Sequence, residues 1–453
     1  MNIRTEQFKK QAARALKDKT MQEAISRASR RFSQNRTQAF GELSEAEALR
    51  TRAHEIKVEA IAHLDAYLEE FTASAQKLGI TVHRSADGAE ACRTIGDLAQ
   101  AKGIEMVVKG KSMTTEEIDL NRHLEAAGIQ VWETDLGEFI IQLAGEGPSH
   151  IIAPALHKTQ QQVAALFSEK LGVPYYEDPE KLTMVAREFL RDKYFQAGLG
   201  ISGANFALAR TGTIVILENE GNARFSTTFP KVHVAVVGIE KVIPGLKELG
   251  VFLKLLARSA TGQKSSTYVS LIQGPRRPGE LDGPEEMHIV LLDNGRSRIR
   301  QDDEMRPSLY CLRCGACLNV CPVYQRIGGH AYGWVYSGPI GSLVTPQFLG
   351  IQRAKYLPMA STLCRACAEV CPVRIPLPDL LLTLRRRIVE QHGLPWLERK
   401  MMESWGVCQT SPGSYQAALG LARIGEEFTS GLLPAGVHLP EKNFHRIWED
   451  GQV

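Results

Sequence analysis

The chain of 453 residues is too long for one ordinary hydrophobic core, so two or three domains are expected. Its 43% hydrophobic and 23% charged residues are typical of a globular protein and exclude a disordered or fibrous one. The net charge of +3 gives no reason to expect nucleic acid or an anionic membrane as a partner. No apolar run approaches the roughly 18 residues of a membrane span, and the N-terminus has no signal-peptide core. A cytoplasmic location is therefore expected.

The N-terminal part of the chain favours helices. Residues 1–43 are basic and helix-prone, and their pattern does not assign them to a core. From Ser44, apolar residues recur at steps of three and four as far as Gly79, which predicts one long amphipathic helix. Ser44 and Glu47 have the spacing of a capping box at its start.

Strand-like and helix-like segments alternate after Gly79. Helices of ten to fifteen residues are predicted between short strands, which is typical of a parallel α/β sheet. The predicted strands are GITV, EMVVKG, IQVWET and SHIIAP. After Gly198 the strand-like segments lie closer together, so a mixed portion of the sheet is expected there: GTIVILEN, KVHVAVVG, STYVSLIQG and HIVLLDNG. The α/β domain is predicted to span 44–297.

The pattern changes after this domain. Residues 296–309, RSRIRQDDEMRPSL, are charged and unpatterned, and a linker is predicted there. From Tyr310 onward, cysteine-rich loops are followed by helices, the clearest over 378–392. A mainly helical domain is therefore predicted over 298–395, followed by a C-terminal extension over 396–453.

Seven of the nine cysteines lie in two short motifs. In a long chain without a signal peptide, such clustering indicates metal binding rather than disulfides. The first motif, CLRCGACLNVCP, has the spacing C-x2-C-x2-C-x3-C-P of iron–sulfur proteins. The second, STLCRACAEVCP, repeats it 50 residues later, with Ser361 at the position that matches Cys311. Zinc ribbons instead use two C-x2-C pairs, so this rhythm favours iron–sulfur clusters over zinc.

The two motifs predict two [4Fe-4S] clusters, and each motif is expected to supply one cysteine to the cluster of the other motif. In two-cluster ferredoxins the fourth cysteine of each motif ligates the other cluster. The predicted ligands are Cys311, Cys314, Cys317 and Cys371 for cluster 1, and Cys321, Cys364 and Cys367 for cluster 2. Three alternatives are open for the fourth iron of cluster 2. Ser361 or another oxygen or nitrogen ligand holds it, it is open to a partner or substrate, or it is missing. The long spacer between the motifs favours, by analogy, the all-helical module of respiratory iron–sulfur subunits.

Weaker signals for ligand binding lie in the α/β domain. Gly198, Gly200 and Gly203 match the dinucleotide pattern G-x-G-x-x-G, but a helix precedes them and a strand follows, which favours a glycine turn. Lys109 and Lys111 lie between a predicted strand and a predicted helix, where an α/β sheet binds anions. A solvated loop is the commoner explanation for two such lysines.

Acidic residues near predicted strand ends are candidates for catalysis or for capping. Glu218, Glu220 and Asn222 lie in a glycine turn after a strand. Glu133, Asp135 and Glu138 form a second set, in which Asp135 also suits a helix cap. Four further residues are expected to be structural: His157, His233, Cys92 and Cys408.

Long stretches of the chain resemble the lactate utilization protein B family, the iron–sulfur subunits of the bacterial L-lactate utilization system. The resemblance covers nearly the whole chain and includes VVKGKSMTTEEI, ETDLGEFIIQLAGEGPSHIIAPALH, GISGANFALARTGTIVILENEGN, HVAVVGIEKVIP, GHAYGWVYSGPIG and LCRACAEVCPVRIPL. It implies an N-terminal lactate-utilization-type domain with a sheet like those of sugar isomerases and CoA-transferases. It also implies a C-terminal module with two [4Fe-4S] clusters held by the seven cysteines, three of them on cluster 2.

The resemblance implies a role in carrying electrons during oxidation of L-lactate to pyruvate. That oxidation removes two electrons, which two clusters accept singly, and the sequence has no recognisable flavin or nicotinamide motif. The chain is thus interpreted as a non-catalytic electron-transfer subunit. The family implies companion subunits, one cysteine-rich and one sharing the N-terminal domain type. The alternative is a CoA-transferase-like or isomerase-like enzyme in which Glu218 or Glu220 acts; a DNA-binding redox sensor is disfavoured by the balanced charge.

Overall fold

The computed structural model describes residues 3–391, 396–429 and 448, without the side chains of 398 and 422–429. The chain divides into two compact units, Met1–Arg387 and Ile388–Val453. Every predicted cluster ligand lies in the first unit. None of the helices in the described ranges is long and apolar enough to cross a membrane.

The chain begins with four helices: α1 (Phe8–Ala15), α2 (Lys19–Gly41), α3 (Ala46–Ala62) and α4 (Leu64–Lys77). The single helix predicted from Ser44 to Gly79 is wrong, because the backbone leaves helical geometry at His63 (φ −103°, ψ 28°). The predicted capping box is also wrong, since α3 begins after Glu45 without a side-chain cap. Helix α2 contacts the region of the first cysteine motif, and its Ile25 is fully buried there.

The described residues contain ten strands: β1 (Thr81–Ser85), β2 (Met106–Lys109), β3 (Gln130–Glu133), β4 (Leu199–Gly203), β5 (Phe206–Leu208), β6 (Thr213–Glu218), β7 (Val232–Gly238), β8 (Val242–Ile243), β9 (Tyr268–Ile272) and β10 (Glu286–Leu292). Six form a parallel sheet in the order β1-β10-β7-β4-β2-β3. In its centre Val234 of β7 lies opposite Ile201 of β4 and His288 of β10. The expected mixed portion is only partly correct. Strands β6 and β9 join β5 and β8 in a separate sheet, β8-β5-β6-β9, with antiparallel pairs on both sides of β6, whereas β7 and β10 belong to the parallel sheet.

Helices cover both faces of the parallel sheet. They are α5 (Gly88–Ala101), α6 (Met113–Glu117), α7 (Leu120–Ala126), α8 (Leu136–Ala144), α9 (Gln160–Leu171), α10 (Pro179–Gln196) and α11 (Asn222–Thr228). Helix α12 (Leu246–Ala260) packs instead against α2, α3 and the second sheet. Val234 and Val236 pack with α5 and α7, whereas Ala235 and Val237 pack with α4 and the second sheet. Burial on both faces explains why β7 is almost entirely apolar.

Two local predictions in the α/β region are wrong. Residues 149–154 form turns rather than a strand, and the Ser149 carbonyl accepts a hydrogen bond from the Tyr324 hydroxyl at 2.9 Å. This segment therefore contacts the cysteine-motif region instead of extending the sheet. The predicted glycine turn at 198–203 is mostly strand β4. Glycine is required at Gly200 because a Cβ there would lie 1.7 Å from the Ser226 carbonyl oxygen.

Helices alone form the rest of the described chain. They are α13 (Arg296–Gln301), α14 (Ala316–Asn319), α15 (Pro322–Ile327), α16 (Gly338–Leu349), α17 (Ile351–Ala354), α18 (Ala366–Glu369), α19 (Leu377–Glu390), α20 (Trp396–Cys408) and α21 (Pro412–Thr429). The predicted linker over 296–309 is wrong, since it forms α13 and a 3₁₀ helix. The predicted end of the 378–392 helix, His392, lies outside the described residues, as does the predicted boundary at 395.

Candidate iron–sulfur site

The two cysteine motifs have the same backbone conformation. Arg313 and its counterpart Leu363 are left-handed, with φ of 60° and 57°, and so are Gly315 and its counterpart Arg365, with φ of 76° and 66°. Each loop then enters a four-residue helix, α14 or α18, at the same offset of 50. A left-handed conformation costs about 1–2 kcal/mol at a residue with a Cβ. Its retention at three such residues indicates that the motif requires this loop shape.

The seven motif thiols form two groups by their mutual electrostatic interactions. Cys314 and Cys317 interact with Cys311, and Cys371 of the second motif interacts with Cys311 and Cys314. Cys321 of the first motif interacts instead with Cys364 and Cys367. The two groups adjoin each other, since Cys317 also interacts with Cys367. The first thiol group is therefore Cys311, Cys314, Cys317 and Cys371, and the second thiol group is Cys321, Cys364 and Cys367. All seven are free of disulfides.

Without a bound cation, burial disfavours the deprotonated form of most of these thiols. It raises the pKa of Cys314 to about 12 and that of Cys371 to about 11. Cys364 differs, because it is exposed and a hydrogen bond from Thr362 lowers the pKa of its thiol. A cation is needed to hold the buried sulfurs deprotonated, and an all-sulfur donor set suits iron–sulfur clusters. The residues present therefore fit such clusters.

Ser361 occupies the loop position of a cysteine. The Arg313 N–H donates to the Cys311 sulfur at 3.3 Å, and the matching Leu363 N–H donates to the Ser361 hydroxyl at 3.1 Å. The hydroxyl thus takes the place of a sulfur in the same backbone frame. Two further backbone N–H groups donate to motif sulfurs: Tyr324 to Cys321 at 3.5 Å and Ile375 to Cys371 at 3.3 Å.

Arginines of the N-terminal helices hold the second motif. Arg50 of α3 donates to the carbonyls of Glu369 and Cys371, at 2.6 Å and 3.0 Å. Arg36 of α2 donates to the carbonyl of Val370 at 3.0 Å. Sequence reasoning missed both arginines, because no local pattern connects residues more than 300 positions apart.

A buried ionic network joins the α/β region to the first cysteine loop. Arg296 is fully buried and donates to both oxygens of Glu117, at 2.8 Å and 2.9 Å, and to the Glu240 carboxylate. The Tyr336 hydroxyl donates to Glu117 at 2.7 Å, and Arg313 lies 4.0 Å from Glu240. Burial alone would raise the pKa of Glu240, but the charges of Arg296, Lys241 and Arg313 together outweigh it and lower the pKa to about 2. Sequence reasoning placed Arg296 in a linker and missed this network.

The two candidate lysines have different environments. Lys109 is fully buried, and its Nζ lies 2.7 Å from Glu133 and 3.0 Å from Glu116, so its charge is neutralised within the protein. The favoured prediction of a solvated loop is therefore wrong for Lys109, and its charge is not available for the alternative, an anion site. Lys111 is half-buried and makes no hydrogen bond or ion pair with any described residue. It lines a cleft between the parallel sheet and the first cysteine loop.

The candidate acids act mainly as caps. Asp135 accepts the backbone N–H of Glu138 at 3.0 Å at the start of α8. Glu218 accepts two backbone N–H bonds at the start of α11, at 2.7 Å and 2.9 Å. Burial, reinforced by Asp135, raises the pKa of Glu220 to about 7. Glu218 and Glu220 line the same cleft as Lys111.

The residues expected to be structural have varied surroundings. His233 is fully buried in β7, and Cys92 is buried in α5. His157 lies 2.7 Å from the Glu146 carboxylate. Cys408 is half-buried in α20.

Comparison with known proteins defines the class of this chain and then its family. Residues 68–292 match the LUD domain and residues 307–375 the 4Fe-4S dicluster domain, so this is an iron–sulfur protein with an α/β LUD domain. It is 45% identical to "Lactate utilization protein B" of Bacillus licheniformis, over 92% of this chain and 87% of that protein. It is 44% identical to the protein of that name from Bacillus thuringiensis, over 99% and 95% of the two chains. The chain belongs to the lactate utilization protein B family.

A solved structure is also similar. It is the crystal structure of a DUF162 family protein from Deinococcus radiodurans, which is 12% identical. The similarity covers 51% of this chain and 98% of that chain, with a TM-score of 0.28.

Proposed function

We propose that this chain is an electron-transfer protein that acts in the oxidation of L-lactate to pyruvate and carries electrons one at a time through two [4Fe-4S] clusters. The family membership and the match to a dicluster domain support this proposal. Oxidation of a 2-hydroxy acid to a 2-oxo acid releases two electrons and two protons. Each cluster, when bound, takes up one electron at a time. The observation that carries the proposal is the division of the seven thiols into two groups drawn from both motifs.

The proposed ligands follow the two thiol groups. Cluster 1 would be held by Cys311, Cys314, Cys317 and Cys371, and cluster 2 by Cys321, Cys364 and Cys367. This assignment is supported by the interaction of Cys371 with Cys311 and of Cys321 with Cys364, each across the two motifs. Exchange of the fourth cysteine is the arrangement of two-cluster ferredoxins. Companion subunits, a cytoplasmic location and the domain boundaries at 44, 297 and 395 stay predictions.

Cysteine variants test the cluster count and the exchange. Anaerobically purified protein should contain about seven or eight irons, with two interacting EPR signals after reduction. Cys371→Ser should abolish the cluster 1 signal although Cys371 lies in the second motif, and Cys321→Ser should abolish the cluster 2 signal. Cys408→Ser is the matched control and should retain both. Loss of cluster 1 in Cys321→Ser would contradict the exchange, and a colourless zinc protein would contradict the whole proposal.

Lactate-dependent reduction separates this function from the enzymatic alternative. In a preparation that contains the companion subunits, Cys314→Ser should abolish reduction of the chain by L-lactate, whereas Glu218→Ala should preserve it. Both carboxylate oxygens of Glu218 accept backbone N–H bonds, which supports a structural role for this residue. Loss of activity in Glu218→Ala, with reduction intact in Cys314→Ser, would favour the CoA-transferase-like alternative.

A further inference from the structure

A cleft of about 300 Å³ lies between the parallel sheet and the first cysteine loop. Its lining includes Gly110 and Gly203, at the carboxyl ends of the neighbouring strands β2 and β4. From the opposite side, Arg313 and Cys314 of the first motif reach it. Open α/β sheets bind their ligands outside the carboxyl ends of their strands. The position of the cleft is therefore that of a ligand site, next to the first thiol group.

Three cationic side chains line this cleft without a carboxylate of the described residues within hydrogen-bond distance. Lys111 and the buried Lys241 make no hydrogen bond or ion pair with any described residue. The Arg313 side chain is more than nine-tenths buried, and its Nε and Nη1 have no hydrogen-bond partner among the described residues. Its nearest carboxylate, Glu240 at 4.0 Å, is already paired with Arg296. Buried donors without acceptors are rare, so these groups indicate an anionic ligand.

Acidic residues of the cleft limit which anion fits. Asp135 and Glu220 also line it, and they would repel a multiply charged anion such as a phosphate ester. A carboxyl group such as Glu220 suits a ligand's hydroxyl or oxo group, to which it can donate or from which it can accept a hydrogen bond. The cations and the acids together therefore suit a small ligand with one negative charge at one end and a polar neutral group beside it.

We propose that the cleft binds a small monocarboxylate with a hydroxyl or oxo group next to the carboxylate, and that Lys111, Lys241 and Arg313 hold the carboxylate. The ligand class rests on the proposed function, whereas the anion site itself rests on the three cations. A ligand in this cleft lies beside Cys314 of the first thiol group. On this proposal the LUD domain binds L-lactate or its oxidation product, pyruvate.

Calorimetric titration of the anaerobic full-length protein tests this inference. The probes are L-lactate, pyruvate, acetate and inorganic phosphate. L-lactate or pyruvate should bind at least tenfold more tightly than acetate and phosphate. Lys111→Met and Lys241→Met should each weaken that binding at least tenfold without loss of iron. Lys247→Met removes an exposed lysine outside the cleft and should bind as the wild type does.

Several results would overturn the inference. No binding of any probe by fully iron-loaded protein would exclude the site, as would binding that both cleft variants retain. Tighter binding of phosphate than of L-lactate or pyruvate would refute the ligand class. Lactate-dependent reduction distinguishes this failure from failure of the proposed function. Intact reduction without binding refutes the cleft alone, whereas intact binding without reduction refutes the electron-transfer role.

Discussion

Ser361 shows how a single residue sets the character of one metal site. Two positions after both Cys311 and Ser361, a residue has left-handed backbone geometry, Arg313 in one case and Leu363 in the other. The N–H of that residue donates to the Cys311 sulfur or to the Ser361 hydroxyl. The backbone around 361 is thus already shaped for a sulfur ligand. Oxygen from a neutral hydroxyl binds iron less well than a thiolate does, and the neighbouring Cys364 is exposed. On the proposed ligand assignment, cluster 2 should therefore be the more labile of the two.

Ser361→Cys should complete the ligand set of cluster 2. We expect cluster 2 to lose iron about tenfold more slowly in air, because a fourth thiolate replaces a weak or absent ligand in an unchanged loop. Iron content and EPR spectra, followed during exposure to air, measure this rate. Ala73→Cys adds a thiol on α4 and is the control. An unchanged rate in Ser361→Cys would mean that position 361 does not reach the cluster.

Residues in local patterns could be predicted, and those with distant partners could not. The cysteines and Ser361 follow from spacing alone, because the loop that shapes their site is a few residues long. Arg296 has its partner Glu117 at a separation of 179 residues, and no periodicity in the sequence records that pairing. The charged stretch around Arg296 instead has the composition of a linker. Charged segments are exposed on average, so composition predicts an exposed segment here. That prediction is wrong for Arg296, whose side chain is fully buried.

At the scale of elements, α2 and α3 support the second cysteine motif. The sequence did not assign helix α2 to the core, because two of its four buried residues, Gln22 and Ser29, are polar. The other two are Ile25 and Ala39. A hydrophobic periodicity therefore does not appear in its sequence. By contrast, β7 and β10 were predictable, since strands buried on both faces are continuously apolar. The division into two sheets was not, because strand order depends on long-range pairing.

Arg50→Ala should loosen the second motif. The variant loses charge-assisted hydrogen bonds to the carbonyls of Glu369 and Cys371, each typically worth about 1.5–3 kcal/mol. We expect iron release to an external chelator to accelerate at least tenfold, as measured by stopped-flow absorbance under anaerobic conditions. Arg52→Ala is the matched control, because Arg52 is half-exposed and pairs with Glu55 on the same helix. Equal release rates for the two variants would show that the helix does not stabilise the motif.

At the scale of the whole molecule, the first unit has a core that crosses the predicted domain boundary at 297. Ile25 of α2, Phe206 of the second sheet and Cys314 of the first motif belong to one buried cluster. The Arg296 network runs through the same boundary, and Gly238 makes room for it, because a Cβ there would lie 2.3 Å from the Glu240 carboxylate. The change from alternating strands to cysteine loops is thus visible in the sequence without a physical gap in the structure. We expect the α/β and cysteine-motif regions to unfold together.

Arg296→Met tests this coupling. The substitution leaves the carboxylates of Glu117 and Glu240 buried without their main cation, which should lower the free energy of unfolding by about 3–5 kcal/mol. Anaerobic denaturant unfolding, followed by circular dichroism and by cluster absorbance, should show both signals shifting to the same lower midpoint. Arg93→Met removes an exposed arginine of α5 that makes no hydrogen bond or ion pair with a described residue, and it should shift neither by more than about 0.5 kcal/mol.

A double variant separates charge burial from lost packing. Glu117→Gln added to Arg296→Met removes one of the two unpaired buried charges, so part of the lost stability should return. No recovery would mean that Arg296 acts through its packing against Phe348, whose ring centre lies 4.9 Å from the guanidinium, rather than through its charge. If the cluster absorbance instead disappeared at a lower denaturant concentration than the helical signal, the two regions would be independent folding units. The network would then serve only the local geometry of the first cysteine loop.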